Sequence, residues 1–271
     1  MTSTRRLLWI LVLLATPVAW AKGDLKPPPG YAVETLSAGK PSRGILVNGV
    51  PFPPGIGYTF NSAVEHYATP EAVEAILFAI GQVRERYADT ADLVIGDLSY
   101  PKGGKISHHR SHRSGRDADL GMYLKGNQQP RQFAPLNLAN IDVPKTWTLI
   151  QALIEDNKVE VIFLDTRIQA ILYLYAKNTL HASASDLERL FQYPHGRHAR
   201  CGIFRWAMGH TNHMHVRFRC PRAVAAAEKY SPVELARLHA VQPARGFVAV
   251  AGAGSGPQGD EAANSNNDWK L

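Results

Sequence analysis

The segment His213-Met214-His215-Val216-Arg217-Phe218 constrains this chain more than any other. Polar and apolar residues alternate along it, which predicts a half-buried strand. In a strand, residues two apart share a face. His213 and His215 therefore point to one side, while Met214 and Val216 point the other way, into a core. Two surface histidines on an exposed strand would give the same short pattern, so H-x-H by itself does not decide between a site and a surface.

A second cluster favours a site. Six of the 11 histidines fall into two groups, His108, His109 and His112 in one, His210, His213 and His215 in the other. Histidine is the commonest metal ligand among side chains. Catalytic zinc typically takes three protein ligands and keeps one position for water, and two histidines with one carboxylate make such a set. The segment from His112 to Asp119 contains Gly115 and alternating charges, which suits a tight loop ending in a strand. Asp117 shares strand parity with Asp119 and is its rival as ligand. A solvated loop end is the ordinary expectation for Asp117, since charged residues are mostly exposed.

Other chemistries lack their signatures. The chain contains no H-E-x-x-H, G-x-S-x-G, C-x-x-C or P-loop. No single serine is marked out for a Ser-His-Asp triad, and six clustered histidines exceed what a triad needs.

The remaining pattern is mixed. Thr69-Pro70 opens a helix whose apolar residues Val73, Ile76, Leu77, Ile80 and Val83 recur at helical spacing to about Tyr87. Residues 93–95, 120–124, 159–164 and 213–218 read as strands. Residues 145–157, 166–177, 185–191 and 232–238 read as helices. Residues 22–60, rich in Pro and Gly, read as a wrapping segment with few regular elements, and 101–116 as a basic loop. Without a regular βαβ rhythm, the expected class is α+β, with a central antiparallel sheet, flanking helices and the metal site on one sheet face.

The N-terminus reads as an export signal. Arg5-Arg6 precede the apolar run 7–14, and Ala19-Trp20-Ala21 matches a cleavage site, so residues 1–21 would be removed. The run is shorter than the roughly 20 residues that span a bilayer. Cleavage removes two of the 30 basic residues and none of the 23 acidic ones, leaving 250 residues with a net charge of +5. That charge suits anionic surfaces such as a cell wall. Lys and Arg are scattered, which weakens a nucleic-acid reading. Cys201 and Cys220 lie downstream of the signal, where disulfides persist, and are expected to pair. Residues 22–245 form the expected domain, with its core at about 40–222. Residues 246–271, poor in packing side chains, are expected to be a disordered tail.

These residues match a known pattern. His109, His112 and Asp119 meet H-x-x-H-x6-D. His210, His213 and His215, followed by Val216-Arg217 and Cys220-Pro221, meet H-x-x-H-x-H. Together with Gly96-Asp97-Leu98-Ser99 and Gly103-Gly104, they resemble the penicillin-insensitive murein endopeptidases. These sit within the zinc peptidase superfamily of lysostaphin, D-Ala-D-Ala carboxypeptidases and hedgehog domains. The resemblance covers roughly residues 40–222, and 125–205 departs most freely from it. It implies Zn2+ held by His112, Asp119 and His215, His213 as base, and His109 and His210 lining the site. The implied reaction is hydrolysis of D-alanyl–meso-diaminopimelyl cross-links in periplasmic peptidoglycan. A D,D- or L,D-carboxypeptidase, or a non-catalytic zinc- or wall-binding domain, are the rival functions. Trp206 and Asp97 are further candidates for the pocket.

Overall fold

The computed structural model of the chain describes residues 35–62, 65–155 and 157–219. The leader, the 232–238 helix, the tail and Cys220 lie outside the described residues, so the expected Cys201–Cys220 bridge has one end outside them.

The wrapping segment is more regular than its Pro and Gly suggest. It holds β1 (Leu36–Ala38), β2 (Ile45–Val47), β3 (Val50–Pro51) and β4 (Tyr58–Phe60), followed by β5 (Tyr67–Ala68). β1 pairs with β2 and β3 with β5, both antiparallel. The next helix, α1 (Pro70–Arg86), starts where Thr69 caps it, Oγ1 accepting the Ala72 N–H, with Pro70 in the first turn. Ala72, Val73, Ile76, Ala79, Ile80 and Val83 form its buried stripe. Most of a helix's stability in a protein comes from packing of its apolar face, so that stripe is what stabilises α1.

β6 (Leu93–Ile95) and β7 (Asp117–Leu120) follow, then α2 (Val143–Glu155), β8 (Val159–Phe163), α3 (Thr166–Asn178), α4 (Ala184–Leu190), β9 (Phe204–Arg205) and β10 (Met214–Phe218). The main sheet has the order β4-β6-β7-β10-β8-β9. Its centre, β6-β7-β10-β8, is antiparallel, as expected, while both edges pair in parallel, β4 with β6 and β9 with β8. The fold is α+β.

Two sheet faces have opposite chemistry. Met214, Val216 and Phe218 on β10 join the core beneath Ile76, Ile80, Leu149, Ile150 and Leu172. His215 and Arg217 alternate onto the other face. α1 packs against α2, and α2 against α3. Each Leu, Ile or Phe buried in that layer contributes about 1.5–3 kcal/mol, so the polar face can carry ionisable groups.

One strand is displaced from its expected place. The apolar run 120–124 reads as a strand, yet β7 occupies Asp117–Leu120 and Leu124 makes only an isolated bridge to Ile141. The carboxylates Asp117 and Asp119 decide this, because they lie opposite Arg217 and His215 on β10. Cross-strand charge pairing outweighs the apolar pattern.

Candidate active site

The site is built where β7 and β10 run side by side. His215 lies opposite Asp119 in the register. Its Nδ1 is 2.9 Å from Asp119 Oδ1 and 3.1 Å from His112 Nε2, and His112 Nε2 is 3.3 Å from Asp119 Oδ1. Three atoms from residues far apart in sequence thus converge. His112, Asp119 and His215 are all buried.

The outer nitrogens of both histidines are committed. His112 Nδ1 lies 2.8 Å from the Leu98 carbonyl oxygen, which can only accept, so Nδ1 carries the hydrogen. His215 Nε2 lies 3.2 Å from Asp117 Oδ1. This leaves the inner nitrogens, His112 Nε2 and His215 Nδ1, facing each other and a carboxylate oxygen. Lone pairs at such spacing repel unless something positive lies among them. Anchoring a ligand's outer N–H to a carbonyl or carboxylate is how proteins prepare histidines for metals. The electrostatics agree. Burial opposes a charged His215, but Asp117 and Asp119 push its pKa up to about 9. A field that favours a proton there favours a cation.

Asp117 corrects the expectation of a solvated loop end. It is 1% exposed. Its Oδ2 accepts the His112 backbone N–H at 2.9 Å, and its Oδ1 accepts from Arg217 Nε at 2.8 Å. It therefore faces the outside of His215, whereas Asp119 faces the inside. Burial would raise its pKa, but His215 and Arg217 outweigh that and hold it far below the usual carboxylate range. The bond to Asp117 also helps keep His112 at φ 63°, a left-handed conformation costly for a residue with a Cβ.

His213 precedes β10 but stays on its polar side. Its Nε2 is 3.6 Å from Asp119 Oδ1, and its Nδ1 is 2.7 Å from Asn212 Oδ1. The ring stacks on Phe133 with centroids 4.7 Å apart and planes 16° from parallel. Burial lowers its pKa to about 4, with Asp119 opposing, so the ring is neutral near pH 7. Gly96 makes the stack possible, since a Cβ there would sit 2.6 Å from the Phe133 ring and 3.1 Å from Asp119 Cβ.

The other two histidines flank the cluster. His109 meets the His112 ring edge-on at 4.5 Å. Its Nε2 pairs with Asp97 Oδ2 at 2.9 Å and its Nδ1 is 3.8 Å from Asp119 Oδ2. The Asp97 hydrogen bond raises its pKa. His210 donates through Nδ1 toward the Met208 carbonyl at 2.9 Å, and its ring lies 5.1 Å from His213 and 5.6 Å from His215. Burial lowers its pKa. His108 is exposed. Trp206 is half-buried, with the Arg197 guanidinium 4.7 Å above its ring.

His109, His112 and Asp119 also offer ligand atoms within 4.8 Å of one another and could hold a metal ion. The trio with His215 is tighter, at 2.9–3.3 Å, whereas His109 Nδ1 stands 3.8 Å from Asp119 Oδ2. Phe133, Asn212 and the Leu98 carbonyl were not foreseen from sequence. Asn212 adjoins a cluster histidine, which is a usable signal. Phe133 sits in a polar, Pro-containing stretch with no periodicity to mark it.

The fold is a mixed sheet with a buried His/Asp cluster on its polar face, a donor set that could hold a metal ion. A model of the family described as penicillin-insensitive murein endopeptidase matches residues 37–237, more than half of the chain, and the chain belongs to this family. It is similar to the penicillin-insensitive murein endopeptidase of Klebsiella pneumoniae subsp. pneumoniae, with 29% identity over 237 residues, 81% of this chain and 77% of the relative. The protein of that name from Haemophilus influenzae is 26% identical over 244 residues, 83% and 78% of the two chains. That of Yersinia enterocolitica is 33% identical over 143 residues, about half of each chain (48% and 46%).

Proposed function

We propose that this chain is a zinc-dependent D,D-endopeptidase that hydrolyses D-alanyl–meso-diaminopimelyl cross-links in peptidoglycan. One observation carries the reading: His112 Nε2, Asp119 Oδ1 and His215 Nδ1 converge at 2.9–3.3 Å, with His112 Nδ1 bonded to the Leu98 carbonyl and His215 Nε2 facing Asp117 at 3.2 Å. Tetrahedral zinc with bonds of about 2.0 Å sets its ligand atoms about 3.3 Å apart. Asp119 Oδ1 is buried and faces both inner nitrogens, as an oxygen reserved for a metal would. Family membership and the names of the relatives support murein as substrate.

Zinc bound there would acidify water and polarise the scissile carbonyl. The chain's own residues supply the rest. Asp117 and the Leu98 carbonyl fix the ligand rings. His213, neutral and held by Asn212 and Phe133, presents Nε2 to take the proton of the attacking water and return it to the leaving amine. His109 and His210 line the two sides of the cleft. A water nucleophile needs no serine, which accounts for indifference to β-lactams. Residues 1–21 act as an export signal and deliver residues 22–245, as one peptidase domain, to the periplasm. No helix among the described residues is long and apolar enough to cross a membrane.

The test is digestion of purified cross-linked muropeptide dimers, with and without chelator, read by mass spectrometry. Monomers released only when zinc is present support the reading. Undiminished cleavage in chelator removes the zinc. Intact dimers with loss of terminal D-alanine from monomers identify a carboxypeptidase instead.

A further inference from the structure

The chain segment leaving β6 holds two of the three histidines of the first cluster, His112 and His109, by two different devices. The Leu98 carbonyl accepts from His112 Nδ1 at 2.8 Å. The side chain of its neighbour Asp97 takes His109, with Oδ2 2.9 Å from Nε2. The backbone of Asp97 is fixed to the cluster as well: the Asp119 N–H donates to its carbonyl at 3.0 Å, and the Gly96 N–H donates to Asp119 at 2.7 Å. Asp97 therefore stands on the same ladder as Asp119. His109 stands on the loop 101–116, which lacks regular structure.

We infer that Asp97 is the positioning residue for His109, accepting its Nε2–H and holding the ring edge-on to His112. Nε2–H is then committed whether the ring is neutral or charged. Nδ1, 3.8 Å from Asp119 Oδ2, is the only atom of His109 left to meet water or substrate. The inference rests on the proposed peptidase reading for its catalytic half, but its geometric half does not.

Two measurements on the full chain separate these halves. Histidine-selective 15N NMR, with the His109 resonances assigned through His109→Gln, should show Nε2 of His109 protonated in the wild type, and a changed, averaged pattern in Asp97→Ala. A His109 ring protonated on Nδ1 alone, or unaffected by the substitution, overturns the inference even in a protein without peptidase activity. On muropeptide dimers, Asp97→Ala should lower kcat about 10-fold or more, by analogy with partners that orient metal-site histidines, with KM and zinc content within about twofold. Asp97→Asn keeps an acceptor oxygen and should recover most of the loss. Asp97→Ala with His109→Ala should be no worse than His109→Ala alone, because the first acts through the second. Losses that multiply in the double variant, or an Asn variant as impaired as Ala, overturn it. If Asp97→Ala does not fold, Asp97→Leu, of similar size and without an acceptor, takes its place in the same cycle.

Discussion

His215 and Asp117 meet at 3.2 Å through Nε2 and Oδ1, diagonally across the β7–β10 ladder and two residues out of register. The same carboxylate takes Arg217 Nε and the His112 backbone N–H. One buried side chain thus faces one histidine of the proposed ligand set, fixes the backbone of another and neutralises an arginine.

Asp117→Ala should weaken zinc binding about 10–100-fold, the usual effect of losing a carboxylate behind a ligand histidine. It should also destabilise the fold by about 3 kcal/mol, the low end for breaking a buried pair, because Arg217 keeps some contact with water. Zinc titration and thermal melting check the two effects separately. Unchanged zinc affinity would show that His215 is oriented by something else.

Asp117 should also appear in acid unfolding. Its folded pKa is depressed, so its stabilisation is present above the unfolded value of about 3.9 and is lost as pH falls below it. In metal-free protein, the stability lost between pH 4 and pH 2 should be smaller in Asp117→Asn than in wild type, by denaturant titration at each pH. Equal acid limbs would deny the carboxylate that role.

The ligand and base assignments separate by metal content. His112→Ala, Asp119→Ala and His215→Ala should each lose zinc by elemental analysis. His213→Ala should keep zinc near one equivalent and lose about 100-fold or more in kcat, the contribution expected of a general base. Full activity in His213→Ala would move the base elsewhere.

Phe133 holds His213, the proposed base, by its face. Phe133→Ala removes a stack worth about 0.5–1.5 kcal/mol, which predicts a two- to tenfold fall in kcat with zinc retained. Gly96→Ala should do the same from behind, because its Cβ would push on both Phe133 and Asp119. A Gly96→Ala enzyme with wild-type kcat would mean the stack can shift without consequence.

Gly103 anchors the loop that carries His109 and His112. It lies at φ 68°, and a Cβ there would sit 2.2 Å from the Arg113 carbonyl oxygen and 2.5 Å from the Leu46 nitrogen. Both neighbours are backbone and cannot swing aside. Gly103→Ala should cost more than about 1 kcal/mol and lower activity along with the melting temperature. A wild-type melting curve would contradict the packing described for this loop.

Much of this was legible in the sequence because it is local. Helical spacing marked α1, and the capping chemistry of Thr69 marked where it starts. Alternation marked β10 and placed Met214 and Val216 in the core. The six clustered histidines marked the site, and resemblance ranked Asp119 above Asp117. β7 was misplaced by three residues because its strand is held by charge pairing with β10, a partner about 100 residues away.

Residue type and period, then, determined the fold class, the core strands and the histidines that gather. The tertiary structure alone decided what each polar group does. Asp117 and Asp119 have the same chemistry and the same strand parity, and nothing local distinguishes them. Only the register that sets Asp119 against His215 and Asp117 against Arg217 turns one carboxylate to the inner nitrogen and the other to the outer, because that pairing is fixed by the packing of the whole sheet.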